Sequence, residues 1–367
     1  MNNDAAFWIT LAHIPQWGYV KINALIDRFT HEYNLSIEEF LNLPETDWQQ
    51  FYCLEPKDIE DLNAAKAEIP NNAFLAEQLQ NEGYELIPVT SPDYPQTLKS
   101  NLKTNHAPAL LYVKGNRQIL HEKSVAIVGS RDASDFSLEF TDTIAKKVTK
   151  EFKVVVSGFA KGVDKQALDS AIKYTGQSII VLPQGIMTFS SGFKTYYKEI
   201  VDGDVVVVSV FHPRAPWKAE LAMARNPIIY ALADEIYVAE SSEKGGTWSG
   251  VIDGLRKKRK IYVRQPGLDE DNANEMLIEK GAIPVDMDGN RIMDASEILA
   301  KELDSEFEKK ILELLKTGEY TTKDILKRLD MNWSETRLRE FLKAQKEIET
   351  INKKPLRYTG KQQTLFD

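Results

Sequence analysis

Six short apolar runs, each separated from the next by a segment long enough for one helix, constrain the fold of this chain more than any other feature. The runs are Val125–Val128, Val154–Val156, Ser178–Leu182, Val205–Val210, Ile236–Ala239 and Ile261–Val263. They are rich in β-branched residues and apolar at successive positions, which is typical of strands buried on both faces. A spacing of about 25–30 residues leaves room for one crossover helix each. The pattern therefore predicts an α/β fold with a doubly wound, mostly parallel sheet.

Two further regions flank this Rossmann-like core, which we assign to residues 81–300. Residues 1–80 are predicted to form an acidic helical domain, because apolar residues recur at three- and four-residue steps and prolines separate the segments. The stretch 14–18, which is followed by a predicted helix, is loosely similar to helix-hairpin-helix and SAM-like modules. Residues 304–360 show three helical segments and a hairpin, the order of a winged-helix domain. Residues 361–367 are predicted to be a flexible tail.

The charge of the chain is unevenly distributed. The formal net charge is −9, and residues 1–80 hold 4 Lys/Arg against 13 Asp/Glu. An acidic cap on a nearly neutral core leaves room for a local anion site, because binding depends on the local field more than on the total charge. A single cysteine, Cys53, excludes an intramolecular disulfide, and five scattered histidines predict no metal site. No basic leader or membrane-length apolar run is present, so we expect a cytoplasmic protein without membrane contact.

Candidate binding residues follow the predicted strands. Ligands of doubly wound sheets sit beyond the carboxyl ends of the strands, where loops lead into helices. The first strand is followed by Gly129, Ser130 and Arg131. Gly129 allows close backbone approach, Ser130 offers a hydroxyl donor, and Arg131 offers a guanidinium suited to phosphate. The second strand ends with a similar set, namely Ser157, Gly158, Phe159 and Lys161, in which Phe159 is a candidate for stacking on a base. The third contributes only the small residue Gly185.

Two later segments are second-rank candidates for the same edge. Arg225 and Asn226 are predicted near the start of the helix before the fifth strand. The turn that follows this strand presents amides suited to phosphate through Lys244, Gly245, Gly246 and Thr247. This turn lacks the spacing of a P-loop, and Gly129 does not begin a G-x-G-x-x-G run. Because no nucleophile and base are paired, we predict a binding protein without catalytic residues, cofactor or metal.

The predicted winged helix carries a mixed set of charges. Arg337, Arg339 and Lys343 lie on or near its recognition helix and are candidates for secondary DNA contacts. Glutamates alternate with them, which is also typical of a solvated face. DNA contact and protein docking therefore both stay open for this domain.

With these residues laid out, the chain resembles the DprA/Smf family of DNA-processing proteins. The similarity covers roughly residues 84–290 and rests on the approach segments 94–98 and 107–115, the loops 128–131 and 157–164, and the segment 225–229. The resemblance implies single-stranded DNA bound in a positively lined pocket, delivery of that DNA to a RecA-type recombinase, and a homodimer formed through the Rossmann-like core. It also implies that the protein is not an enzyme.

Several positions depart from the family pattern. Lys161 stands where the family usually has arginine, Leu168 stands where histidine is common, and the segment 244–248 replaces a different small-residue loop. These changes suggest a divergent branch, serving either recombination and transformation or defence. The Gly-Gly-Thr turn also resembles turns of related Rossmann proteins that sense nucleotides or hydrolyse their N-glycosidic bonds. The alternative function is therefore a nucleotide-binding sensor or an N-glycosidic nucleotide hydrolase.

The final residues suggest one more partner. Gln362, Leu365 and Phe366 match the short Q-x-x-L-F peptide that docks into the bacterial sliding clamp. Adjacent large apolar residues at a chain terminus are poorly placed for a core contact. We therefore hypothesise that the tail binds the clamp.

Overall fold

A computed structural model describes residues 4–267, 269–293, 295–331, 333–345, 347–351 and 355–360. The chain divides into two compact units, residues 1–292 and residues 293–367. The further boundary near residue 80 that the sequence predicts stays a prediction. Within the described residues, no helix combines the length and the apolarity that a membrane crossing requires, and the cytoplasmic location also stays a prediction.

Six helices open the first unit. They are α1 Ala5–Ala12, α2 Tyr19–Asp27, α3 Ile37–Leu41, α4 Glu45–Tyr52, α5 Pro56–Ala67 and α6 Ile69–Asn81. Their large apolar side chains, including Phe29, Phe40 and Trp48, are buried and belong to the same core as one face of the sheet. A polar contact also joins these helices to the sheet, since Nε2 of His13 lies 2.8 Å from the hydroxyl of Tyr112 in the sheet.

A nine-stranded sheet follows. Its strands are β1 Glu85–Pro88, β2 Leu110–Gly115, β3 Ser124–Val128, β4 Val154–Ser157, β5 Ser178–Val181, β6 Val205–Ser209, β7 Glu235–Val238, β8 Ile261–Arg264 and β9 Ile283–Val285, in the spatial order β1-β2-β6-β5-β4-β3-β7-β8-β9. In this spatial order, the neighbouring strands β6, β5, β4, β3, β7, β8 and β9 all run parallel. Strands β1 and β2 pair antiparallel at one edge. The predicted doubly wound, mostly parallel sheet is confirmed.

Helices cover both faces of the sheet. They are α7 Gln96–Leu102, α8 Asp135–Lys150, α9 Val163–Lys173, α10 Ser190–Thr195, α11 Tyr197–Asp202, α12 Ala219–Leu232, α13 Gly246–Arg256 and α14 Asn274–Glu279. Alternate residues of β3 enter different cores: Ala126 and Val128 face one, and Val125 and Ile127 face the other. Burial on both faces explains why the six runs are apolar at successive positions.

Helix α12 starts earlier than the sequence suggests. It begins at Ala219, so Arg225 and Asn226 lie in its middle and the prediction that they lie near its start is wrong. Pro227, which favours the first turn of a helix, is instead inside it. Because proline has no N–H, the carbonyl of Met223 loses its usual helical donor, and the surrounding packing tolerates this loss.

The second unit has the predicted winged-helix order. Its elements are α15 Ala295–Leu315, α16 Thr322–Arg328, α17 Glu335–Ala344, β10 Ile348–Ile351 and β11 Arg357–Gly360, the two strands forming an antiparallel hairpin. Ile311, Ile325, Leu338 and Tyr358 are buried in its own apolar core. Thr321 and Asp324 form a capping box at the start of α16, which satisfies amides that the helix leaves unpaired.

Candidate functional site

A pocket lies where the strand order of the sheet reverses. From β3 the chain proceeds through β4, β5 and β6 on one side, and through β7, β8 and β9 on the other. The crevice at such a reversal, beyond the carboxyl ends of the strands, is where doubly wound sheets bind their ligands. An open cavity of about 410 Å³ occupies this place, lined by the loops after β3 and β7 and by α12.

The loop after β3 forms one wall of the pocket. Gly129 is needed there, because a Cβ atom would lie 2.6 Å from Cγ2 of Val163 and 3.1 Å from the carbonyl of Glu240. The hydroxyl of Ser130 accepts from the Asp132 amide at 3.2 Å, so it shapes the turn. Arg131 is exposed at the rim, and its guanidinium forms no ion pair with a described residue. Arg131 is therefore available to an anionic ligand.

The glycine turn before α13 forms the opposite wall. Gly245 has φ of 97° and is the N-cap of α13, where it offers no capping side chain to the first amides of the helix. A hydrogen bond from Oγ1 of Thr247 to the carbonyl of Gly129, 3.1 Å long, joins this turn to the other wall. Lys244 is exposed at the mouth. Uncapped amides at a helix N-terminus, together with a lysine, are suited to a phosphate group.

The N-terminus of α8, by contrast, is closed. Oε2 of Glu240 accepts from the Ser134 amide at 3.0 Å and from the hydroxyls of Ser134 and Ser137 at 2.7 and 2.8 Å. In dinucleotide-binding Rossmann folds, this first helix N-terminus holds the pyrophosphate. A carboxylate there repels a phosphate, so the geometry disfavours a dinucleotide bound in that manner.

Arg225 forms part of the pocket floor from the middle of α12. It is 3% exposed, and Nη1 donates to the carbonyls of Gly158 and Val181, each at 2.6 Å. Its Nε has no hydrogen-bond partner among the residues that the structure describes. Burial lowers the pKa of Arg225, while the nearby Asp164 opposes that shift. Because arginine nevertheless stays protonated in proteins, the guanidinium gives the floor a fixed positive charge. Whether it touches a ligand stays a prediction.

Asp164 is the buried acid of the site. Burial raises its pKa, and the charges of Arg225 and Arg131 partly offset that effect. Asp164 as a whole is 8% exposed, and it lines the pocket. Because Asp164 is the first acidic residue of α9, it also lies at the favourable end of that helix dipole.

The remaining predicted residues of the second loop do not line the pocket. Ser157 is buried and donates to the carbonyl of Ile127 at 2.9 Å, so it joins β4 to β3. The Phe159 ring packs edge-on against Phe189, with centroids 4.9 Å apart. Gly185 is packed against the loop at 212–213. The structure therefore brings together Gly129, Ser130, Arg131, Arg225, Asn226, Lys244, Gly245, Gly246 and Thr247, and leaves out Ser157, Gly158, Phe159, Lys161 and Gly185.

Lys161 lies near the pocket but is paired. Its Nζ is 3.0 Å from Oδ1 of Asp132, and both side chains are more than four-fifths exposed. An exposed pair of this kind contributes little to stability and opens readily. Phosphate contact by Lys161 stays a prediction, and it requires this pair to open.

The candidates in the second unit are also partly engaged. Arg337 pairs with Asp304 and stacks over Trp333 at 4.4 Å, and Arg339 pairs with Glu335 at 3.1 Å. No ion pair of Lys343 occurs among the described residues. Gln362, Leu365 and Phe366 lie outside the described residues.

Sequence reasoning missed much of the floor. Ala219, Ala222, Met223, Ile229 and Tyr230 line the pocket together with Arg225 and Asn226. These positions recur at three- and four-residue steps, so they share one face of α12, and this periodicity was the available signal. Asn226 also lies against the glycine turn, since a Cβ atom on Gly246 would be 2.3 Å from its Nδ2.

The chemistry of the pocket is that of anion binding. Three cations, Arg131, Arg225 and Lys244, face two acids, Asp132 and Asp164, one of which has a raised pKa. No group of three or more potential metal ligands occurs among the described residues. Backbone amides and fixed cations can hold phosphates without reacting with them.

Comparison with known proteins agrees with the motifs. The family model of DNA recombination-mediator protein A matches residues 85–297, more than half of the chain. DNA processing protein DprA of Bacillus subtilis (strain 168) is 27% identical over 207 residues, which cover 55% of this chain and 68% of that protein. DNA processing protein DprA of Streptococcus pneumoniae (strain ATCC BAA-255 / R6) is 31% identical over 180 residues, covering 48% of this chain and 63% of that protein.

The fold is also found in a solved structure. The X-ray structure of DprA from Streptococcus pneumoniae superposes with a TM-score of 0.57 at 24% sequence identity, covering 78% of this chain and 95% of that one. Five curated relatives match over 54–68% of their own lengths. The chain belongs to the DNA recombination-mediator protein A family, the DprA/Smf family that its sequence motifs indicate.

Proposed function

We propose that this protein binds single-stranded DNA in the pocket at the switch point and delivers it to a RecA-type recombinase. The observation that carries the proposal is the convergence of Arg131, Lys244 and the uncapped amides of α13 on one open cavity. Family membership supports the same direction. The protein acts in this proposal as a binder and not as an enzyme.

The pocket suits the backbone of a single strand more than a duplex edge. Amides and cations contact phosphates without reading sequence. An open cavity of about 410 Å³ admits one or two nucleotide units, with the rest of the strand continuing outside. Each neutralised phosphate releases counterions, so binding should weaken with salt by about 0.7 log units per log unit for each contact.

The test is fluorescence anisotropy with labelled oligo-dT over a range of salt concentrations. Arg131→Ala and Lys244→Ala should each lower affinity roughly tenfold near 0.1 M salt and reduce the salt slope by about 0.7. Lys161→Ala should have a smaller effect, because Asp132 competes for its ammonium group.

A matched control is Lys173→Ala. Lys173 is exposed and pairs with Asp142 at 3.1 Å on another surface, so its loss removes a charge without touching the pocket. If Arg131→Ala and Lys173→Ala have the same small effect, the pocket is not the DNA site.

The partners in this proposal need separate tests. Recombinase delivery predicts that the protein lowers the lag of filament formation on strands precoated with single-strand binding protein, and that Arg131→Ala abolishes this effect. A homodimer through the Rossmann-like core predicts twice the chain mass in light scattering for residues 1–292 alone, which form one compact unit. A monomeric mass would contradict the dimer.

One observation favours the alternative of a nucleotide sensor or N-glycosidic hydrolase. Asp164 is a buried carboxyl with a raised pKa in the same pocket, as a general acid often is. Incubation with nucleoside monophosphates and chromatography of free base decides the matter. Base release that Asp164→Asn abolishes supports the hydrolase, and its absence supports binding alone.

Secondary contacts belong to the second unit and the tail. Gel shifts of single- and double-stranded DNA with residues 1–292 and with the whole chain test whether Arg337, Arg339 and Lys343 contribute. Equal shifts would favour protein docking by the winged helix. Deletion of Gln362–Asp367 should abolish clamp capture in a pull-down, and unchanged capture would refute that hypothesis.

A further inference from the structure

A row of charged residues lines the amino-terminal edge of the sheet, opposite the pocket. The residues directly before β4, β3, β7 and β8 are, in spatial order, Lys153, Lys123, Asp234 and Lys260. Backbone hydrogen bonds hold them side by side, since the amide of Val154 donates to the Lys123 carbonyl at 2.8 Å and that of Ile236 to the Lys260 carbonyl at 3.1 Å. Neighbouring strands are about 4.8 Å apart, so the row spans roughly 14 Å.

The cavity at this edge is strongly basic. Its volume is about 550 Å³, larger than the 410 Å³ of the switch-point pocket. Asp234 and Glu235 line it together with six cations, namely Lys123, Lys153, Lys257, Lys258, Arg259 and Lys260. Lys123 pairs with Asp234 at 3.6 Å and Lys153 with Glu151 at 2.8 Å, so the excess charge comes from the remaining cations. In a chain with a net charge of −9, this is a local excess of positive charge.

Part of this charge is not neutralised within the protein. Lys257 pairs with Asp253 at 2.7 Å, and Arg259 donates to the carbonyls of Tyr230 and Ala233. Lys258 and Lys260 are both exposed, and neither forms an ion pair with any residue in the described part of the chain. These two lysines are therefore free to contact an external anion.

An aromatic ring stands in solvent beside the same edge. Phe152 lies between the end of α8 and Lys153, and it is 93% exposed. Its φ is 55°, and that of Lys258, just after α13, is 57°. Glycine is the most stable residue at such helix ends, so both side chains are kept at a conformational cost. Exposed aromatic rings next to cations are the stacking platforms of proteins that bind single-stranded nucleic acid.

We propose that Phe152, Lys258 and Lys260 form a second contact surface for single-stranded DNA, on which the strand continues beyond the switch-point pocket. This inference rests on the proposed function, because it concerns the path of the same strand. The lysines contact phosphates and the phenylalanine stacks on a base. An acidic protein partner would use the lysines alone, whereas the exposed ring favours nucleic acid.

The two surfaces are separated by the length of a strand. The five residues of β3 span about 17 Å between its two ends. Helices cover both faces of the sheet, so the path of a strand around it is longer than this distance. A dT4 oligomer held in the pocket leaves too few nucleotides to follow that path, whereas a dT30 oligomer has enough. Oligomer length therefore separates the contribution of this edge from that of the pocket.

The experiment compares dT4 and dT30 binding by anisotropy in the full chain. The double variant Lys258→Gln/Lys260→Gln should weaken dT30 binding about tenfold and reduce its salt slope by about 1.4, for two lost contacts. Binding of dT4 should change less than twofold. The control Lys57→Gln/Lys66→Gln, which removes equal charge from the acidic helices, should leave both affinities unchanged.

Glycine substitutions separate binding from folding. Phe152→Gly and Lys258→Gly relieve the left-handed backbone, so the thermal midpoint should stay equal or rise. Phe152→Gly should nevertheless weaken dT30 binding at least about fivefold. Phe152→Trp, which keeps an aromatic ring, should bind dT30 as well as the unaltered protein. Lower affinity together with a higher midpoint cannot come from misfolding.

The outcomes distinguish this inference from the proposed function. If the unaltered protein binds neither oligomer, the proposed function fails. If it binds both and the lysine and phenylalanine variants bind dT30 normally, only the second surface is refuted. Lysine acetylation read by mass spectrometry adds a direct check: dT30 should protect Lys258 and Lys260, and equal protection by poly-glutamate would overturn the assignment to nucleic acid.

Discussion

The guanidinium of Arg225 occupies the space in which any side chain on residue 158 would lie. A Cβ atom added to Gly158 would stand 2.0 Å from Nη1 of Arg225 and 2.5 Å from Oδ2 of Asp164. Nη1 also donates to the Gly158 carbonyl at 2.6 Å, so the glycine holds the arginine by its backbone and makes room for it. The pocket floor thus depends on a residue that does not line the pocket.

Gly158→Ala should therefore be costly. We expect the free energy of unfolding to fall by about 1–3 kcal/mol, because overpacking forces buried groups to shift, and DNA affinity to fall with it. Urea denaturation measures the first effect and anisotropy the second. Gly18→Ala is the control, since a Cβ atom added there meets no described atom within 4 Å. Equal stabilities of the two variants would contradict the packing argument.

Arg225→Lys should fail to replace the arginine. Both carbonyls accept from the terminal Nη1, and a lysine ammonium falls about one bond short of that atom, so we expect a loss of about 2–4 kcal/mol in the free energy of unfolding. The loss arises partly because Asp164 is left buried beside a poorly placed cation. Adding Asp164→Asn should then recover part of the stability in a double-mutant cycle. Strictly additive effects would show that the two groups do not interact.

His13 should make the protein less stable in acid. Burial, with a smaller contribution from His212, lowers the pKa of His13 from 6.5 to about 3. The unfolded chain therefore takes up a proton between these values and the folded chain does not, so stability is lost as the pH falls below 6.5. The slope reaches at most about 1.4 kcal/mol per pH unit.

Comparison with His13→Gln isolates this effect. Glutamine can keep the hydrogen bond to the Tyr112 hydroxyl but has no proton to gain. Between pH 6 and pH 4, urea midpoints of the unaltered protein should decline more steeply than those of the variant. Parallel declines would assign the acid sensitivity to other groups.

The pair of Arg264 and Glu270 should be worth far more than a surface ion pair. Arg264 is 1% exposed, and its Nη1 donates to Oε1 of Glu270 at 2.7 Å. Hydrogen bonds from Arg264 lower the pKa of Glu270. Glu270→Gln should cost about 2–4 kcal/mol at pH 7, because it leaves a buried cation without its counter-charge.

The pH dependence of that cost has a defined sign. A folded pKa below the unfolded value of 4.5 stabilises the protein above pH 4.5, and this stability is lost as the pH falls further. The variant should therefore approach the unaltered protein below pH 4.5. Asp253→Asn, which removes an exposed pair with Lys257, should change stability by less than about 0.5 kcal/mol in the same urea experiment.

The central strands, and the candidate anion-binding loops at their carboxyl ends, were predictable because local chemistry determines them. Strands buried on both faces must be apolar at successive positions, and Gly129 and Gly246 sit where backbone approaches closely. The antiparallel pair β1 and β2 was not predicted as strands, because the residues of β2 were recognised only as an approach segment and those of β1 were assigned to no element. Helix α12 starts earlier than predicted and runs through Pro227, because tertiary packing tolerates a missing hydrogen bond that the sequence alone disfavours.

The roles of the second loop were less predictable for a different reason. The loop 157–159 has the composition of a phosphate-binding loop. Its residues nevertheless form their hydrogen bonds and ring contacts with other groups inside the protein. A sequence shows which groups a loop contains but not which neighbours satisfy them. Arg225, buried beneath that loop, is the neighbour that only three-dimensional packing reveals.

Helix α12 supplies seven of the residues around the pocket, and a helix rotates about 100° with every residue. A single insertion between Lys218 and Arg225 would swing the guanidinium away from its two carbonyls and dismantle the whole floor at once. The segment 242–245 lies in the loop between β7 and α13, so its length can change without turning a helix. Insertions and deletions in the segment 242–245 can therefore change which ligands the cavity accepts during evolution, whereas the number of residues between the start of α12 and Arg225 has to stay the same.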